Sequence, residues 1–447
     1  MQCPNCHHTI DDDTIFCGNC GRQVAPLHAP GATVTATDET MLSARNDVSG
    51  QGVLRYNPPW AARPEIESAK QGAVGAPPVQ PATPPPTPPP PRRAKTSRLA
   101  LMAALLVIVL SGGITLALAL LQKNGAGTGN PGANASGQVL FFDGPNGSGN
   151  TDALKISVNG LSAPPPGSSY DAWLVDSTGE QVTLLGVLTS QGSVFSLNFA
   201  GNGGNGQAGT NLLGAGNQLE ITLEQGSPKL PTGRIILLGT FPPKAFVHIK
   251  HLLFSFPTTP GKIGLLVGLQ EQTRLLNAQA LVLQSIAASH NTNALQCAAQ
   301  SIIDIAEGQQ GANFKPLAAS CGSSTTTGDG FGILGANGYA STAAAHASLA
   351  ATQSDSTGLI RQHASEVEIG MSNITRWVTT IDADAQKLLA NPNDSAVVQE
   401  IATLSDQAFH GVDKNGNGQI DPVSGEEGAI TAYLRGQLMA TLPLVPA

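Results

Sequence analysis

Apolar residues follow three successive rules along this chain. From Leu99 to Leu121 they run unbroken by any charged side chain. About 23 residues of that kind cover a hydrocarbon core about 30 Å thick with room for tilt, so the run predicts one transmembrane helix. A helix buried in a domain is the competing reading, but the Pro-rich and Gly-rich flanks offer no domain to bury it. From Gln138 onward, short apolar stretches alternate with turn residues: QVLFF, ALKISVN, YDAWLVDS, VTLLGVLT, SVFSLNF, NQLEITLE and RIILLGTF. Strands at this spacing, with no helical pattern between them, predict an antiparallel β-sandwich in which Tyr170 and Trp173 are core or corner residues. Past Pro260 the spacing changes to threes and fours. Leu269, Thr273, Leu276, Ala280, Leu283 and Ala287 predict one amphipathic helix, and Ile360, Ala364, Val367, Met371, Ile374, Val378, Ile381, Ala385 and Leu388 predict a longer one. Shorter helices are expected from Leu295 to Ile305, from Val397 to Phe409 and in EGAITAYLRGQLMATL, completing a small bundle.

Charge orients the apolar run. Arg92, Arg93, Lys95 and Arg98 precede it and only Lys123 follows closely, so the positive-inside bias places the N-terminus in the cytoplasm and the C-terminal mass outside. Nothing apolar lies near residue 1, which makes the run an uncleaved signal-anchor. Gly113 and Ala117 form a small-xxx-small pair that suits helix pairing or is simply the usual composition of such spans. The stretch APPVQPATPPPTPPPPRR has no core periodicity and favours extended polyproline geometry, as a spacer or as an SH3-type ligand. The net charge of −8 and the lack of a long basic face argue against a nucleic-acid-binding body.

Cysteine placement agrees with two compartments. Cys3, Cys6, Cys17 and Cys20 precede the span, in two C-x-x-C pairs whose spacing lets two knuckles converge on one tetrahedral ion. CPNC and FCGNCG resemble the small zinc-ribbon domains at the start of many bacterial membrane proteins. Gly21 follows the second pair as a knuckle requires, whereas His7 stands at the equivalent place after the first. Four thiolates complete the shell without His7 or His8, and so short a segment needs its Zn2+ to fold, so the site is structural. Cys297 and Cys321 lie beyond the span, on a predicted helix and in the Gly/Ser/Thr-rich connection after it, and are expected to form a disulfide.

YDAWLVDSTGEQVTLLGVL followed by LEITLEQGSPKLPTGRIILLG resembles the extracytoplasmic domain of anti-sigma-K factors, over Gln138 to Phe254. The shared features are a Tyr-x-x-Trp-Leu strand, a Leu-Gly-Val strand and a Gly-Ser-Pro-x-x-Pro-Thr-Gly hairpin, in that order. The resemblance implies a domain outside the membrane that senses or binds something. It does not carry sigma-factor sequestration with it, because a four-cysteine ribbon stands where that family has a helical sigma-binding domain. GNGGNGQAG, within 201–209, lacks the Lys-Ser/Thr and the helix of a phosphate loop and reads as a strand connection.

The last candidate is DKNGNGQIDPVSGEE, at 413–427. Asp413, Asn415 and Asn417 offer oxygens at alternate positions, Gly418 permits the sharp turn, Gln419 supplies its carbonyl and Asp421 takes the ninth place. The twelfth is Ser424, so the closing carboxylate must come from Glu426, or less favourably Glu427, across a lengthened loop. This pattern predicts an EF-hand-like Ca2+ site in helix-loop-helix context, with a polar Asn-Gly turn as the alternative. Neither His346 nor His363 has the Glu three residues before it that a di-iron bundle needs, so these two, with His290 and His410, read as ordinary surface or core positions.

The expected architecture is therefore multi-domain: a zinc ribbon at 1–25, a Pro-rich linker at 26–98, one transmembrane helix at 99–121, a linker at 122–136, a β-sandwich at 137–256 and a helical domain at 261–447. No nucleophile, base and orienting group form a recognisable constellation, so no catalytic residues are assigned and no enzyme is expected. The function expected is a single-pass envelope protein with a ligand-binding or sensing ectodomain and a cytoplasmic ribbon that contacts a protein partner. A calcium-stabilised surface scaffold or adhesin and an anti-sigma-like regulator are the alternatives, and a hydrolase built on the bundle is a third.

Overall fold

The computed structural model describes residues 132–144, 149–176, 178–179, 181–201, 209–289, 291–323 and 325–447. The expected ribbon, Pro-rich spacer and apolar run at 99–121 lie outside the described residues. Among the described residues no helix is long and apolar enough to cross a membrane.

All seven expected strands form. They are β1 (Ser136–Phe142), β2 (Ala153–Asn159), β3 (Ser168–Val175), β4 (Val182–Val187), β6 (Val194–Phe199), β7 (Gln218–Gln225) and β8 (Arg234–Thr240), with a short β5 (Thr189–Gln191) beside β6. Instead of a two-sheet sandwich, the strands make one antiparallel nine-stranded sheet in the order β4-β3-β7-β8-β9-β1-β2-β6-β5, with β4 beside β6 so that the sheet nearly closes on itself. Near closure removes most exposed strand edge and buries β3 on both faces. Tyr170 and Trp173 are both fully buried. Trp173 Nε1 donates to Thr222 Oγ1 at 2.8 Å, and the Tyr170 hydroxyl donates to the Ser162 carbonyl at 3.1 Å.

The ninth strand departs most from the sequence pattern. β9 (Leu442–Pro446) is the chain's last segment, and it lies between β8 and β1. Its side chains alternate, with Leu442 and Leu444 buried and Pro443, Val445 and Pro446 exposed. Two prolines in five residues argue against a central strand, because each removes a ladder donor. The register shows how little ladder is asked of it: three residue pairs with β1 and two with β8. Gly239 makes the approach possible, since a Cβ there would meet Leu442, Leu444 and the Pro443 carbonyl at 2.9 Å. Burial of the two leucines, about 2 kcal/mol each, holds the strand in place.

The helical segment is thus inserted between two strands of the sheet. α1 (Leu212–Ala215) lies within the sheet's connections. The insertion comprises α2 (Pro243–Leu253), α3 (Leu265–Ala287), α4 (Thr292–Glu307), α5 (Tyr339–Thr352), α6 (Gly358–Ala390), α7 (Ser395–His410) and α8 (Ala429–Met439). α6 is the central strut and packs against α4, α5, α7 and α8. Every position of its expected apolar stripe, from Ile360 to Leu388, is buried. The Thr357 hydroxyl caps its start by accepting from Ile360 N at 3.2 Å.

Besides the one-turn α1, two helices of the insertion depart from the sequence pattern. α2 is short and starts directly from the strand region behind two prolines, with Pro243 in its first turn. α5 reads YASTAAAHASLAAT, where small residues on all sides leave almost no apolar-to-polar contrast. The long connection from α4 to α5 is pinned by the Cys297–Cys321 disulfide, which joins residues 24 apart in sequence, as expected. Glu307 Oε2 and Oε1 accept from Asn313 N and Nδ2 at 2.7 Å each, and Asp304 Oδ1 accepts from Lys315 N at 2.9 Å.

Candidate metal centres

The two unexpected helices carry the most concentrated chemistry among the described residues. His248 and His251 are one turn apart on α2 and share a face, beside the buried Ala245, Ile249 and Leu252. His346 lies mid-way along α5, where Ala343, Ala347 and Ala350 are buried and let the two helices approach closely. The three rings converge. His346 Nδ1 is 3.1 Å from His248 Nδ1 and 3.3 Å from His251 Nδ1, and one ligand nitrogen from each ring lies within 4.8 Å of the others. Phe256 packs edge-on against both His251 and His346. Gln353, just past α5, places its Nε2 3.2 Å from His248 Nε2.

Burial keeps these rings neutral at pH 7. It pushes His346 down to about 3 and His251 down to about 4, helped by the neighbouring histidines and, for His251, by Lys250. Burial also lowers His248. All three rings are half-buried. The sequence pattern assigns His346 to an ordinary position and does not single out His248 or His251. The available signal was His-x-x-His at helical spacing behind a Pro-Pro helix start, the i, i+3 pairing of ligands on one face.

The acidic loop between α7 and α8 keeps the helix-loop-helix order. Asp413 accepts backbone N–H groups from Gly416 and Gly418 at 2.7 Å each and from Asn417 at 3.2 Å. Asn415 Oδ1 and Asn417 Oδ1 accept from Asn417 N and Gln419 N. Both asparagine amides aim at Asp421 Oδ2, at 2.8 and 2.7 Å. Glu426 is buried and its Oε2 accepts from Asp421 N at 3.1 Å. Asn373 of α6 anchors the far side, accepting from Gly425 N at 2.6 Å. Glu427 points the other way, into the bundle. It is fully buried and 3.5 Å from Arg435 Nε, and burial pushes its carboxyl up to about 8 despite that partner, with Glu366 adding to the rise. Glu366 in turn meets His363 Nδ1 at 2.6 Å, and His410 meets Asp406 at 2.7 Å. His290 and the ribbon cysteines lie outside the described residues.

A third buried polar group joins bundle to sheet. The Tyr433 hydroxyl donates to Asp143 Oδ1 at 2.7 Å, and Gln437 Nε2 donates to the same oxygen at 2.8 Å. Gly149 N and Thr151 N also donate to Asp143. Burial nonetheless outweighs these bonds and raises the Asp143 carboxyl. α8 is thereby fixed to the end of β1, the first strand after the apolar run.

Within the sheet, the Gly-Ser-Pro-x-x-Pro-Thr-Gly hairpin has a physical basis. The Glu224 carboxylate accepts from both Thr232 N and Thr232 Oγ1 at 3.1 Å, tying the end of β7 across the turn to β8. Residues 98–235 match the family model of the anti-sigma-K factor rskA C-terminal region. The rskA-like region takes in the apolar run and continues through β1 to β7. Residues 2–24 match the zinc-ribbon domain, which supports a structural Zn2+ at the N-terminus. No curated protein and no solved structure matches the chain. These two modules together fit a membrane regulator, and the rskA-like one suggests a protein partner.

Proposed function

We propose that this chain is a single-pass membrane regulator. In this reading the 99–121 run crosses the bilayer once, with Cys3, Cys6, Cys17 and Cys20 holding Zn2+ in a cytoplasmic ribbon and the sheet-bundle unit outside. The observation that carries it is the order of modules, a ribbon match at 2–24 followed by an rskA-type match that begins at residue 98 and includes the apolar run. The Cys297–Cys321 disulfide supports an oxidising compartment for the bundle. A ligand-induced change in the bundle has a short route inward, since α8 holds β1 through Asp143 and β9 is sewn between β8 and β1. The ribbon is the element that contacts the cytoplasmic partner, a regulatory protein. No catalytic role is included.

Ca2+ belongs to the same reading as a structural ion. Asp413, Asn415, Asn417, Asp421 and Glu426, with the Gln419 carbonyl, supply hard oxygen ligands around one loop, and the ion would lock α7 to α8. Capture of cytoplasmic proteins on residues 1–90 tests the regulator. The reading expects a partner retained by the native ribbon and lost when Cys17 and Cys20 are replaced by Ser. A scaffold or adhesin would lose none.

A further inference from the structure

We propose that His248, His251 and His346 form a further metal site, a three-imidazole centre for a divalent transition ion of the Zn2+ class with one coordination position open to solvent. It shares no residue with the ribbon or with the acidic loop, and the inference holds whichever side of a membrane the bundle occupies.

Geometry is the first support. In a tetrahedral site with Zn–N bonds of about 2.0–2.1 Å, neighbouring ligand nitrogens are about 3.3 Å apart. The two Nδ1–Nδ1 separations, 3.1 and 3.3 Å, are of that size. The second support is hydrogen-bond chemistry. A neutral imidazole has one N–H and one lone pair, yet His346 Nδ1 faces two other Nδ1 atoms. Either one lone pair is shared by two donors, or a donor meets only one suitable partner. An ion at the centre uses three lone pairs at once and removes the conflict.

The surroundings fit as well. Imidazole nitrogens without thiolates or carboxylates select Zn2+, Ni2+ or Cu2+ over Ca2+ and Mg2+. Coordination through His248 Nδ1 leaves its Nε2 protonated, facing the Gln353 amide at 3.2 Å. Rotation of that amide presents Oε1 as acceptor, the usual outer partner of a metal-bound histidine. The helices are already in place, because α2 runs on from β8 through the Phe241–Phe246 stack, with rings 4.0 Å apart. The bound ion would therefore clip α5 to the sheet side of the bundle through α2.

The test uses the full-length chain in detergent, with Cys3, Cys6, Cys17 and Cys20 all replaced by Ser so that the ribbon holds no metal. After chelator stripping and dialysis against Zn2+, bound zinc is read by atomic emission. The expected result is one zinc per chain, against two in the unsubstituted protein, with none after further His251→Asn or His346→Asn substitution. Gln353→Leu should weaken zinc binding about 10- to 100-fold, as loss of an outer partner does. A ribbon-free chain that retains no zinc overturns the proposal, as does zinc retained unchanged by both histidine variants. The first measurement leaves the cluster intact, so misfolding of a histidine variant cannot decide the outcome.

Discussion

Removing the Cys297–Cys321 disulfide gives a calculable loss. The bond closes a loop between residues 24 apart, and its main effect is to restrict the unfolded chain. The loop-entropy relation assigns about 3.5 kcal/mol to a loop of that length. The native connection has other anchors, at Glu307 to Asn313, Asp304 to Lys315 and Ser301 to Thr326, so the folded structure should persist without the bond. Cys297→Ala/Cys321→Ala should therefore unfold at lower denaturant, with stability reduced by about 3 kcal/mol and the folded circular dichroism unchanged. Urea titration of the oxidised protein and the double variant measures the difference directly. A loss below about 1 kcal/mol would refute the reasoning, because the connection would then be held by its hydrogen bonds alone.

Three further outcomes follow from single positions. Glu427 is neutral in the folded protein up to about pH 8 and ionised in the unfolded chain above its ordinary 4.5, so the folded state holds the extra proton and stability falls as pH rises through that window. Glu427→Gln should flatten the slope between pH 5 and 8 and raise stability at pH 7 by about 2–3 kcal/mol, read by denaturant titration without Ca2+; an unchanged slope would assign it to other groups. At Gly268 an added Cβ would overlap the ring of buried Tyr339, whose hydroxyl is held by Asp329 at 2.6 Å, so Gly268→Ala should cost about 1–2 kcal/mol net of its helix-propensity gain, whereas Gly358→Ala, with nothing within 4 Å, should cost nothing. For the acidic loop, 10 mM Ca2+ should stabilise the chain by about 1.5–2.5 kcal/mol at the affinity usual for extracellular modules, and Asp413→Ala or Glu426→Gln should abolish that shift; equal shifts in native and variant chains would remove the ion from the account.

How much the sequence discloses depends on contrast. β1, β2 and β6 alternate more and less buried residues, β3 and β7 are near-continuous apolar runs between turn residues, and α6 keeps one buried stripe over many turns, so their patterns are readable. α5 is flanked by partners and built almost entirely of alanine and other small residues, so no face stands out. β9 carries two prolines that local rules assign to a turn, and only its place between β8 and β1 makes it a strand. The acidic loop is local in sequence, so its candidate ligands are readable from spacing alone. The histidine centre joins residues about a hundred positions apart, on one short helix and one without a distinct apolar face, so its third member has no local signature. The contact of Glu366 on α6 with Arg435 on α8, at 3.7 Å, is likewise a product of packing between those two helices.

The central claim is a divided molecule, and protease protection tests it most directly. Cells expressing the chain with a tag at each end are treated intact with a non-penetrating protease, then blotted for both tags. The account predicts loss of the C-terminal tag and the sheet-bundle unit, with the N-terminal tag preserved on a fragment that includes 99–121. Protection of the C-terminal tag in intact cells, with digestion only after lysis, would contradict it.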